Sequence, residues 1–66
     1  MRIFLNGEQT DIQNAENVAQ LMEGYRMPPQ TVLIEHNGVA LRPREWRHRL
    51  LSEGDRIEII QVVAGG

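Results

Sequence analysis

The chain has 66 residues, no cysteine and a formal net charge of −2. A chain of this length forms one small domain with a thin core, burying only about 60% of the surface its unfolded form exposes. Without thiols it can form neither a disulfide nor a thiolate metal site, which favours a reducing, cytoplasmic setting, and its charge argues against nonspecific nucleic-acid binding.

The first run, Arg2 to Asn6, alternates as a strand does, with Ile3 and Leu5 on one face and Phe4 on the other. It runs directly into polar Asn6-Gly7-Glu8, so no secretory signal is expected. Asn6-Gly7 is a tight-turn pair. Residues 9 to 13 then read as a return strand with Ile12 pointing inward. Val18, Leu21, Met22 and Tyr25 stand at i, i+3, i+4 and i+7, one stripe of an α-helix. Asn14 is the expected N-cap, Glu16 suits the positive end of the helix dipole, and Pro28-Pro29 stops the helix. The stripe reads as core rather than as a cofactor site.

Thr31 to His36 reads as the next strand, Asn37-Gly38 as a second turn, and Val39 to Leu41 as a short strand limited by Pro43. Pro43 to His48 reads as a single helical turn with Trp46 folded back on the body. Glu53-Gly54-Asp55 is a turn before the last strand, from Arg56 to about Val63. The order β-β-α-β-β-β predicts an α+β fold with one helix packed on one face of a sheet of four to five strands. The expected inward set is Ile3, Leu5, Ile12, Val18, Leu21, Met22, Val32, Ile34, Leu41, Leu50, Ile57 and Ile59.

The chain closes on Val63-Ala64-Gly65-Gly66. Glycine adds no bulk and explores backbone conformations closed to other residues. Two glycines after an apolar run therefore predict a thin strip of backbone that can thread a narrow tunnel into another protein's active site. The terminal carboxylate has no Cβ beside it and is sterically open to attack an ATP α-phosphate. The plainer reading is a chain end that frays. The expected division is a folded domain over 1–62 and a flexible tail over 63–66. If Ile57 and Ile59 point inward, period two turns Glu58, Ile60 and Val62 outward, and Phe4 is outward on the first strand. Phe4, Ile60 and Val62 are therefore the candidate docking patch for a partner, against the alternative that a bulge or loop covers them.

Other chemistry is sparse. His36 and His48 are the only histidines and are separated by turns, so no metal site is expected. Ser52 is the only serine, with no local histidine partner, and no catalytic residue is assigned. No Gly-rich phosphate loop is present, so an ATP site must belong to a partner and no cofactor is bound by this chain. No apolar stretch approaches the roughly 20 residues of a membrane span. All seven cationic residues are arginine, so the chain offers no ε-amine to an isopeptide bond. Arg42, Arg44, Arg47 and Arg49 surround Trp46 and read as a solvated face, as a dock for an acidic partner, or as an RNA grip.

The run Glu53-Gly54-Asp55-Arg56-Ile57-Glu58-Ile59-Ile60-Gln61-Val62-Val63-Ala64-Gly65-Gly66 resembles the C-terminus of the ThiS family, the sulfur carriers of thiamin biosynthesis. Asn6 after the first strand, the Val18/Leu21/Met22/Tyr25 helix, Asn37 closing the middle strand and Trp46 after a Pro-Arg pair extend the resemblance over the whole chain. Arg42-Pro43-Arg44 stands one position off the family's pattern, and Tyr25 and His36 replace residues that are more often aliphatic. The resemblance implies a β-grasp, ubiquitin-like fold. It also implies that an E1-like, ThiF-type enzyme adenylates the Gly66 carboxylate with ATP and Mg²⁺. A sulfur donor protein would convert the adenylate to a thiocarboxylate, and a ThiG-type thiazole synthase would receive the sulfur. A carrier for molybdopterin or cysteine synthesis would look similar, and a modifier conjugated through Gly66 or a passive interaction domain are the other classes.

Overall fold

The computed structural model describes residues 1–62. It contains β1 (Arg2–Leu5), β2 (Glu8–Asp11), α1 (Val18–Tyr25), β3 (Val32–His36), β4 (Val39–Leu41) and β5 (Arg56–Gln61), with 3₁₀ turns at Pro29–Thr31 and Pro43–His48. The five strands form one mixed sheet in the order β2-β1-β5-β3-β4. β5 lies at its centre, parallel to β1 and antiparallel to β3. This is the expected α+β, β-grasp layout.

Both Asn-Gly pairs close two-residue hairpins, with Leu5 facing Glu8 and His36 facing Val39. Asn6 and Gly7 have φ of 49° and 84°, and Asn37 and Gly38 have 51° and 83°. Positive φ at both central positions matches the turn to the strands' right-handed twist, which is why Asn-Gly is favoured there. β2 is shorter than its expected span. Ile12 nevertheless stays in the ladder through a 2.8 Å bond from its N–H to the Met1 carbonyl, and it is buried.

The helix starts later than expected. Asn17, not Asn14, is the N-cap, and its Oδ1 accepts from the Gln20 N–H at 2.8 Å. Asn14 instead takes a left-handed φ of 63°. The cause is a tertiary pairing. Asn17 forms a β-bridge with Leu50, the Leu51 N–H donates to the Glu16 carbonyl, and the Val18 N–H donates to the Arg49 carbonyl. Pairing holds this stretch extended, so Glu16 precedes the helix instead of lying in its first turn. The same bridge corrects the core. Leu51 is 7% exposed and Leu50, expected inside, is 70% exposed. Adjacent residues of an extended segment face opposite ways, and the bridge decides which one faces in.

The core joins Val18, Leu21 and Met22 of α1 to Ile3, Ile34 and Ile57 of the sheet, with Ile12, Val32, Leu41, Trp46 and Leu51 around them. Leu5 and Ile59 pack on it only partly buried. Tyr25, the last residue of α1, overhangs the core and is exposed. Trp46 folds inward as expected.

Among the described residues His36 is the one buried polar or charged residue, inward on β3 beside Val32 and Ile34. Its Nε2 lies 2.7 Å from Asp55 Oδ2, and its Nδ1 accepts from Arg49 Nε at 3.2 Å. Arginine can only donate, so the neutral ring carries its hydrogen on Nε2, toward Asp55. Asp55 also accepts from Asn37 Nδ2 and the Ser52 N–H. Burial pushes the Asp55 carboxyl upward, but the hydrogen bonds from His36, Asn37 and Ser52 outweigh it and hold the group below the ordinary aspartate value. A depressed folded-state value means that the unfolded chain binds the proton first as pH falls. The stabilisation is therefore complete above the ordinary aspartate range and is lost as pH drops through the lower, folded value. Urea midpoints are expected to fall through that acid window, and Asp55→Asn should flatten the fall. An equal acid slope in the variant would remove Asp55 from the account.

Candidate functional site

The site is built on β5, the strand that leads to the C-terminus. Both asparagine turns clamp it. Asn6 Oδ1 accepts from the Ile59 N–H at 2.8 Å while its Nδ2 donates to the Ile59 carbonyl at 3.4 Å. At the other end Asn37 Oδ1 accepts from the Arg56 N–H at 2.8 Å, and its own N–H donates to the Arg56 carbonyl at 2.8 Å. The Asn6 carboxamide thus stands in for a ladder residue by itself, and at Asn37 the carboxamide oxygen and the backbone N–H do so together. Past β5, the Val62 N–H still donates to the Thr31 carbonyl at 2.8 Å. The approach to the C-terminal segment is held in register up to that residue. The expected tail, Val63, Ala64, Gly65 and Gly66, lies outside the described residues.

Alternation along β5 buries Ile57, leaves Ile59 half-buried and turns Glu58 and Ile60 outward. Ile60 is 43% and Val62 56% exposed, both on the sheet face away from α1. Phe4 shares that face but is half-buried. It pairs across the sheet with Arg56, four residues before Ile60 along β5. Leu33, which sequence reasoning passed over, stands directly opposite Ile60 on β3 and is 40% exposed. The tight apolar group at the exit of β5 is therefore Leu33, Ile60 and Val62, with Phe4 further down the face. Period two in Thr31–His36 carried the signal for Leu33, because Val32, Ile34 and His36 inward force Leu33 outward.

Among the described residues no three His, Asp or Glu side chains converge as metal ligands would. No helix among them is long and apolar enough to cross a membrane. His48 Nε2 accepts from Arg47 on the surface, far from the His36 cluster in role. What the site offers is a strand clamped by hydrogen bonds, an apolar face beside its exit, and a glycine-ended sequence beyond.

A family model described as the ThiS family matches residues 3–66. The chain belongs to the ThiS family. The match runs through Gly65 and Gly66 and so includes the segment that the structure does not describe. The fold is similar to the crystal structure of a thiamine biosynthesis protein, ThiS, from Geobacter metallireducens, with a TM-score of 0.82, 26% identity and full coverage of both chains. The solution structure of a thiamine biosynthesis protein from the same organism gives a TM-score of 0.79 at 26% identity, covering all of this chain and 88% of that one. In sequence, the chain is 27% identical over 63 residues to the uncharacterized protein ycf40 of Trieres chinensis, covering 96% of this chain and 86% of that protein. It is also 29% identical over 66 residues to a thiazole synthase of Magnetococcus marinus. There the whole chain corresponds to 20% of the larger protein's length. Family membership and these structures support a sulfur carrier in thiamine biosynthesis.

Proposed function

We propose that this ThiS-family chain carries sulfur on Gly66 for assembly of the thiazole ring of thiamin, and that it is a substrate protein rather than an enzyme. The observation that carries the reading is the family match across residues 3–66, which takes in both the β5 scaffold and the terminal glycines. The chemistry explains why a partner is required. A carboxylate is a poor electrophile, because attack on it must expel oxide. The Gly66 carboxylate oxygen attacks the α-phosphate of Mg²⁺-bound ATP on an E1-like, ThiF-type enzyme, and pyrophosphate leaves. The outer sulfur of a donor protein's cysteine persulfide then attacks the acyl carbon and the C–O bond to AMP breaks, giving an acyl disulfide. A second partner thiol attacks the donor's cysteine sulfur, the S–S bond breaks, and a partner disulfide and the Gly66 thiocarboxylate are the products. A thiazole synthase is the proposed recipient, and the similarity to a stretch of a thiazole synthase chain supports it.

Intact mass tests the proposal. Incubation with the adenylating enzyme, ATP, Mg²⁺ and a sulfur donor should raise the mass by the difference between sulfur and oxygen. Oxidation of Met1, Met22 or Met27 gives nearly the same shift. Fragmentation must therefore place the change on Gly66. A lysine conjugate of Gly66 with another protein, and no thiocarboxylate, would replace this reading with that of a modifier.

The apolar group at the β5 exit is the proposed dock for the activating enzyme. A side chain desolvated at an interface can carry about 2 kcal/mol or more. Val62→Asp is therefore expected to weaken binding by roughly 30-fold at a tenfold change per 1.4 kcal/mol. Leu33→Asp should act in the same direction. Val62 faces solvent, so its variant should stay folded. Unchanged affinity of both variants in a calorimetric titration would remove the dock.

A further inference from the structure

On the helix side of the molecule, opposite the face just described, a groove of about 420 Å³ opens between α1 and the Pro43–His48 turn. The geometry points to a docking groove for a protein partner's short peptide segment, one with an apolar centre flanked by carboxylates. Met22, Met27, Pro29, Pro43 and Trp46 supply an apolar lining. Arg26, Arg44 and Arg47 stand at the same groove, against a single acid, Glu23. This concentration of positive charge belongs to a chain whose net charge is −2.

Local geometry builds the arrangement. In a 3₁₀ turn residues three apart eclipse one another. Pro43 and Trp46 therefore make one row and Arg44 and Arg47 the next. Across the groove, α1 ends on Arg26, which takes a left-handed φ of 55°, with its N–H bonded to the Met22 and Glu23 carbonyls. Left-handed geometry is rare for a residue with a side chain. Here it closes the helix while placing a cation at the groove. Arg26, Arg44 and Arg47 are exposed and form no ion pair with a carboxylate among the described residues. Their charge is thus available to a partner. Two prolines stiffen opposite walls, and two methionines give a lining that adapts to different apolar side chains.

Charge decides the class of occupant. A purely apolar segment would leave three guanidinium groups without counter-charge, and a basic one would be repelled. An acidic segment with an apolar anchor satisfies both the lining and the rim. The groove and the β5 exit lie on opposite sides of the sheet, so one partner can hold the groove while another works on the C-terminus. This inference does not depend on the sulfur-carrier reading.

Trp46 is the only tryptophan and lines the groove, so its emission reports occupancy. The probe is an acetylated, amidated Glu-Glu-Leu-Phe-Leu-Glu-Glu peptide, compared with its counterpart carrying lysine in place of every glutamate. The acidic peptide should change Trp46 emission saturably, with an affinity that falls as salt is raised, and the basic peptide should not. The double variant Arg44→Glu, Arg47→Glu should weaken binding by about tenfold or more, since two attractions become repulsions. Ala19→Phe should also weaken it, by filling the groove without changing charge, and circular dichroism checks that both variants fold. An absent or non-saturable response, equal binding of the two peptides, or unchanged affinity in the charge-reversed variant would overturn the proposal. Tighter binding of a uridine oligonucleotide than of the acidic peptide would overturn it too, in favour of nucleic acid.

Discussion

Adding one alanine after Gly66 is expected to reduce ATP–pyrophosphate exchange by the activating enzyme by about 100-fold or more. The extra residue carries the carboxylate about 3.5 Å further along an extended chain. It also puts a Cβ beside the reacting carbon. Catalysis by positioning is steep in distance, and misplacement near 1 Å already costs about 10²-fold in some active sites. Gly65→Val should have a similar effect for a different reason: on the proposed reading it widens the strip that threads a tunnel in the partner. An added glycine separates the two causes: it shifts the carboxylate without adding a Cβ. Exchange at similar rates by the wild type, the alanine extension and Gly65→Val would show that the tail is not the site. A passive interaction domain would then be the better reading.

Ile57→Ala is the substitution expected to damage the fold most. Ile57 is 0% exposed at the centre of the sheet, paired with Leu5 on one side and His36 on the other. Truncating a fully buried isoleucine removes apolar contact and leaves a cavity, together costing about 2–5 kcal/mol. Folded domains hold only about 5–15 kcal/mol in total, and small ones lie toward the low end. Urea unfolding should therefore show a midpoint shifted by a large share of the whole stability, with much of the variant unfolded at 37 °C. Ile57→Val should cost about 0.5–1.5 kcal/mol. Glu58→Ala, exposed on the next position, should change little. If Ile57→Ala were no more harmful than Glu58→Ala, β5 would not be the strand on which the core closes. The consequence would reach the proposed function, since β5 immediately precedes the C-terminal segment.

The elements and the family were readable from the chain because their signals are local. A two-residue hairpin turn demands positive φ at two adjacent residues, and Asn-Gly is a pair that accepts it readily. The Val18/Leu21/Met22 stripe has a helical period, and the strand from Arg56 has a period of two. The glycine-ended segment and its preceding Gly-Asp turn carry the family resemblance in contiguous residues. Ile60 and Val62 were placed on the outer face by parity alone. What only the tertiary structure decided were choices between neighbours that local sequence leaves nearly equal. Asn14 and Asn17 are both good N-caps, and the pairing of residues 16–18 with 49–51 selects Asn17. Leu50 and Leu51 are the same residue type in adjacent positions, and the same pairing sends one to solvent and the other to the core. Leu33 joined the apolar group because the β3–β5 register sets it against Ile60, and register is a property of two strands together. The arginines showed as a cluster in sequence. Arg26 came to face Arg44 and Arg47 across a groove only when α1 packed beside the Pro43–His48 turn. Parity sets His36 on the inner face with Val32 and Ile34, but Asp55 and Arg49, which satisfy it there, are brought in only by the fold.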